Sequence, residues 1–129
     1  MFFVDTSGSI DDGMLSTVYG ELCNAIMQFN GGIEGKLCFF DIKVYDPIPF
    51  SDVDDLIRVK PLGGGGTSFD VIFDYLKRTT SNDPPASIVI FTDGAAEFPK
   101  ESEAENVPVL WLLLNKRVTP PWGKLAYVT

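Results

Sequence analysis

The chain has 129 residues, 45% of them hydrophobic, with 18 Asp and Glu against 10 Lys and Arg, no His and two Cys. That size suits one domain burying roughly two-thirds of its unfolded surface, and the composition excludes disulfide-stapled and disordered classes. Lack of histidine excludes Ser-His-Asp and Cys-His nucleophiles, His-ligated zinc and an imidazole base, while a net charge of −8 argues against nucleic acid or an anionic membrane as partner.

Phe2-Phe3-Val4 reads as a buried strand that runs into the polar loop Asp5-Thr6-Ser7-Gly8-Ser9. Ser9 and Asp12 have capping-box spacing, and Leu15, Val18, Tyr19, Leu22, Ile26 and Phe29 recur at helical intervals up to the stop Asn30-Gly31-Gly32. Asp11 and Asp12 then fall in the first turn, where the helix dipole favours acids, as caps and not as ligands. Lys36 to Phe40 is a second strand. Asp41-Ile42-Lys43 is a turn, with Asp41 read as a turn residue and the alternative of a position near Asp5. Val44 to Phe50 is a third strand, which Pro47 and Pro49 confine to an edge. Ser51 to Leu56 reads as a short acidic helix whose Asp52, Asp54 and Asp55 form a solvated face, and Ile57 to Val59 is open between helix end and strand.

Leu62 leads into four glycines, Gly63 to Gly66, and Thr67 with Asp70 repeats the capping-box spacing ahead of a second helix through Val71, Ile72, Tyr75 and Leu76. The glycines imply either close backbone approach or a flexible hinge; a phosphate-cradling loop would need a following Lys that is absent. Ser87 to Thr92 is a buried strand ending in Asp93-Gly94, Lys100 to Ala104 a short helix, Val107 to Leu114 another buried strand, Pro120 to Gly123 a turn, and Leu125 to Val128 a final strand. Trp122 and Tyr127 are candidates for exposure, with packing of the Trp122 turn against a preceding region as the alternative. Continuous apolar strands alternating with helices predict a single α/β domain over residues 1–129: a doubly wound, mostly parallel sheet with one antiparallel edge strand and helices on both faces.

Asp5, Thr67 and Asp93 each stand where a strand, or the approach to a helix, runs out. In such a sheet the carboxyl ends of the parallel strands share one crevice. Asp5, Ser7 and Ser9 alternate along a tight loop, Thr67 adds a hydroxyl and Asp93 a second carboxylate. An all-oxygen set with two negative charges suits a hard divalent cation, Mg²⁺ or Mn²⁺, which would keep one position open for an outside carboxylate.

Asp5-Thr6-Ser7-Gly8-Ser9 resembles the DxSxS motif of von Willebrand factor A (VWA) domains, Gly66-Thr67 their second-loop threonine and Thr92-Asp93-Gly94 their third-loop aspartate, in the family's order and over essentially the whole chain. The resemblance implies a metal-ion-dependent adhesion site with Ser7, Ser9 and Thr67 as direct ligands and Asp5 and Asp93 acting mostly through water. The glycine run and the Trp122 turn further resemble a bacterial group of VWA-like domains that lie C-terminal to a metallopeptidase-like region and beside MoxR-type AAA+ ATPases. A strand beginning at residue 2 agrees with a piece of such a longer protein, and the chain ends without the final helix of larger VWA domains.

The expected function is therefore a divalent-metal-dependent protein-binding module and not an enzyme. Its partner would offer an Asp or Glu, with a MoxR-type ATPase or its substrate as the candidate. The rival is a Mg²⁺-dependent phosphoryl-transfer or phosphatase-like enzyme using Asp5, with Thr92 and Lys116 in support; receivers, however, need paired acids after the first strand and phosphatases an Asp-x-Asp. Cys23 and Cys38 lie in apolar segments and read as small buried hydrophobes. With no signal-type leader before Phe2 and a longest apolar run of Val109 to Leu114, the expected location is the cytoplasm.

Overall fold

In the computed structural model, residues 1–8, 10–28, 35–50, 63–80 and 82–127 are described, with side chains except for residues 25–28. The apolar runs become the strands β1 (Phe2–Asp5), β2 (Gly35–Phe40), β3 (Ile48–Phe50), β4 (Ile88–Thr92), β5 (Val109–Leu113) and β6 (Lys124–Tyr127). The periodic segments become α1 (Asp12–Gln28) and α2 (Asp70–Thr79), with a 3₁₀ turn at Glu101–Ala104. The strands form one sheet in the order β3-β2-β1-β4-β5-β6, in which only β3 runs antiparallel.

Strand alternation sorts the core into two layers. Phe3, Cys38, Phe40, Ile88, Ile90 and Trp111 face α2 and meet Ile72, Phe73 and Leu76. Val4, Leu37, Phe39 and Phe91 face the other way and meet Val18 and Leu22 of α1. Each central strand is thus apolar on both faces because a helix covers each face, the arrangement its unbroken hydrophobic runs predict. Cys38 is buried and Cys23 half-buried, both free thiols, and burial pushes the Cys38 thiol up to about 11.

The first helix begins at Asp12, and its cap is Asp11, whose Oδ1 accepts the Met14 N–H at 2.8 Å. Asp12 thus opens the first turn, and the Ser9 half of the expected capping box lies outside the described residues. The second helix likewise starts at Asp70 behind Phe69, with no side-chain cap, so Thr67 is not a cap and stays in its loop. The edge strand is shorter than Val44 to Phe50. Val44 makes only an isolated bridge to Phe40, and pairing resumes at Ile48 past Pro47, which has no N–H to donate. The expected helix at 51–56, the stretch 57–62, the stop at 30–32, Phe29 and Val128 lie outside the described residues, as does Ser9.

The α2 face is keyed by an aromatic cluster. The Phe69 ring lies 5.1 Å from Phe98 and 5.2 Å from Trp111, which in turn lies 5.6 Å from Trp122. Trp122 is therefore half-buried, packed against this domain's own core, and its indole N–H donates to the Pro99 carbonyl at 2.6 Å. Tyr127 stays 37% exposed. Phe69→Ala is expected to lower the unfolding free energy by about 3–5 kcal/mol in urea titration, the range for deleting a buried ring.

Candidate functional site

The strand order places β1 and β4 side by side, while the chain proceeds from β1 outward to β2 and from β4 outward to β5. The crevice between their carboxyl ends is the switch point of the sheet, where ligands bind in open α/β folds. Asp5 is the last residue of β1 and Asp93 directly follows β4.

Asp5 is buried, 1% exposed, and both of its oxygens are engaged. Oδ1 accepts the Ser7 backbone N–H at 2.9 Å and Oδ2 accepts the Thr92 hydroxyl at 2.7 Å. The Thr92 oxygen also accepts the Gly94 N–H at 3.0 Å, and Asp93 Oδ1 accepts the Ala95 N–H at 3.0 Å. Each loop thus turns sharply around its own acid. Burial pushes the Asp5 carboxyl above its ordinary value; hydrogen bonds from Ser7 and Thr92 oppose this, and the nearby charge of Asp93 adds to it.

The glycine loop is held by its backbone against the first loop. Gly64 N–H donates to the Thr6 carbonyl at 2.8 Å, and Gly8 N–H donates to the Gly65 carbonyl at 2.9 Å. Gly63 has φ +148°, and a Cβ there would lie 2.1 Å from Thr6 Oγ1. Close approach is therefore the reason for glycine at this position, and a cradle for phosphate or a free hinge is not. Asp41 secures the same loop from the other side. Its Oδ2 accepts the Gly65 N–H at 3.2 Å and the Tyr45 hydroxyl at 3.1 Å, its Oδ1 accepts the Lys43 N–H at 3.1 Å, and its carbonyl accepts the Ser68 N–H at 2.9 Å. Residues on both sides of Thr67 are thereby tied to Asp41. Burial works against the Asp41 charge, but the donors from Lys43, Gly65 and Tyr45 outweigh it and hold the carboxyl below its ordinary value.

Over residues 1–129 the chain matches the family model described as VWA-like domain (DUF2201). The chain belongs to this family. No curated protein matches it. Among solved structures, it is similar to an aerotolerance-related membrane protein from Bacteroides fragilis NCTC 9343, with 19% identity and a TM-score of 0.61 over 88% of this chain and 65% of that one. It is also similar to a von Willebrand factor type A protein from Catenulispora acidiphila, with 12% identity and a TM-score of 0.51 over 88% of this chain and 33% of that one. These likenesses concern the fold. The VWA-like domain spans less than two-thirds of either protein, and among its described residues no helix is long and apolar enough to cross a membrane.

Of the residues singled out in the sequence, Asp5, Ser7 and Asp93 are buried at one sheet edge, and Thr67 is half-buried on the loop beside them. Ser9 lies outside the described residues. Among those residues no three His, Cys, Asp or Glu cluster as a metal-binding group. The set at the switch point is of another kind, two carboxylates with hydroxyls, and its donor chemistry fits a hard cation that would offset the repulsion between Asp5 and Asp93. Two residues carry more than the sequence reading assigned. Thr92 bridges β1 and β4 through Asp5, and Asp41 holds the second loop as well as its own turn. A signal existed: β1, β2 and β4 each run directly into an aspartate, at Asp5, Asp41 and Asp93.

Asp41→Ala would strand three donors, and a loss of about 2–4 kcal/mol is expected in denaturant titration in EDTA, against less than about 1 kcal/mol for Thr67→Ala. For Asp5 the folded pKa lies above the unfolded value of 3.8. Its contribution to metal-free stability is therefore fully present below pH 3.8 and is lost as pH rises through the folded value. Asp5→Asn in EDTA should accordingly be at least as stable as the parent at pH 7, with the difference shrinking toward pH 4.

Proposed function

We propose that this VWA-like domain is a divalent-metal-dependent protein-binding module. Such domains generally mediate protein–protein interactions, and what supports the metal-dependent form here is the convergence of Asp5 and Asp93 at the switch point. The residues that would hold Mg²⁺ or Mn²⁺ are Asp5, Ser7, Ser9, Thr67 and Asp93, Ser9 on the strength of its place in the motif. The bound cation would supply an electrophilic position for a carboxylate from outside.

The protein's own residues do the positioning. Asp5 turns the first loop around its oxygens, and Thr92 fixes that carboxylate relative to β4. Asp41 and the paired backbones of the first two loops set the height of Thr67. The partner would present an Asp or Glu, with a MoxR-type AAA+ ATPase or a substrate of that machinery in the cytoplasm as the candidate. A phosphoryl-transfer role is disfavoured because a phosphatase of this kind needs an Asp-x-Asp where the chain has Asp5-Thr6-Ser7.

Mg²⁺ at a hundredfold excess over Kd should stabilise the fold by about 2.7 kcal/mol, read as a rise in Tm that EDTA reverses. Asp5→Ala and Thr67→Ala should remove that rise. A response equal to the parent's would place the site elsewhere, and an Asp labelled by acetyl phosphate would replace the binding-module reading with the enzymatic one.

A further inference from the structure

Beside the candidate centre lies a groove of about 540 Å³ between the turn after β2 and the outer side of α2. Its apolar lining is Ile42, Val44 and Val71, and its charged lining is Lys43, Lys77 and Arg78 with Asp74. Lys77 is paired with Glu103, which leaves Lys43 and Arg78 against Asp74, a net positive lining in a chain whose net charge is −8.

Ile42 is 63% exposed, the most exposed of the large hydrophobic side chains described. A Cβ on Gly66 would lie 3.3 Å from Ile42 Cγ2, so this side chain sits against the residue preceding Thr67. Groove and candidate centre are therefore adjoining parts of one surface. Of the two unpaired cations, Lys43 is steadied by its Nζ lying 4.5 Å from the centre of the Tyr45 ring. The other exposed apolar side chains, Leu125 and Tyr127, stand on β6 at the opposite end of the sheet.

We propose that this groove docks an acidic peptide segment carrying an apolar side chain. The apolar group would cover Ile42, Val44 and Val71, and the segment's carboxylates would face Lys43 and Arg78. Opposite charge at the rim gives orientation and a fast encounter, while the desolvated apolar contact holds the complex. The proposal extends the metal-dependent reading by naming the class of partner, and it rests on that reading only where one further carboxylate of the segment reaches the cation.

The test is fluorescence anisotropy with a fluorescein-labelled peptide, Gly-Glu-Leu-Glu-Asp-Leu-Gly, in Mg²⁺ and in EDTA. The proteins compared are the parent, Ile42→Ser, the double variant Lys43→Glu with Arg78→Glu, and Asp5→Ala, each checked by circular dichroism and melting. Binding should weaken about tenfold in the double variant and about threefold or more in Ile42→Ser, in both media, and should fall with added salt. Groove-dependent binding that ignores EDTA and Asp5→Ala would uphold the groove and show that no carboxylate of the peptide reaches the cation, the metal reading then standing or falling on the Mg²⁺-dependent rise in Tm. Binding lost in EDTA yet unchanged in both groove variants would overturn the groove and leave the metal reading standing. No binding, equal binding of the peptide with Lys in place of its acids, or equal displacement by heparin would also overturn it.

Discussion

The hydrogen bond from the Thr92 hydroxyl to Asp5 joins residues 87 positions apart across the two strands where the winding of the sheet reverses. Without it one oxygen of a buried carboxylate would have no protein donor, at a cost of about 1–3 kcal/mol or more for a charged group. The bond also sets the relative height of the first and third loops, since Asp5 holds the Ser7 backbone while Thr92 holds the Gly94 N–H. A site built from two separate strands is in this way made as rigid as the ladder beneath it.

Among the described residues no strand runs into the second loop, and it is held by different means. Its backbone is hydrogen-bonded to the first loop, which requires bare glycine at Gly63, and its far side is anchored by the Asp41 carboxylate and carbonyl. Two buried aspartates therefore do opposite jobs. Asp41 is surrounded by donors and favours its charged form, whereas Asp5, with Asp93 nearby, is held in an environment that disfavours it. A cation at the switch point would change the second environment and leave the first alone, so structural and ligand-dependent charge are kept on separate carboxylates.

Much of this was legible in the residues. Unbroken apolar strands such as Ile88 to Phe91 can only be buried on both faces, and Pro47 and Pro49 can only sit at an edge, so the sheet type and the place of β3 follow from local chemistry. Helix starts were less legible. A Ser or Thr three residues before an acid offers a cap wherever it falls, and whether Ser9 or Asp11 takes that role depends on where the loop leaves the chain, a tertiary matter. For the same reason Thr67 looked like a cap for α2, although Asp41 holds its loop away from the helix start. The role of Asp41 in the second loop was hidden because its partner there, Gly65, lies 24 residues away and donates through its backbone, which no side-chain pattern records.

The aromatic stack offers a way to watch the site without touching it. The chain has two tryptophans, and both belong to a run of rings that passes from Trp122 through Trp111 to Phe69. Phe69 stands two residues after Thr67 and is itself fully enclosed. Any tilt of the second loop that moves Phe69 changes the surroundings of Trp111 from inside the core. The intrinsic emission of this protein is thus an unlabelled optical gauge of how that loop is seated.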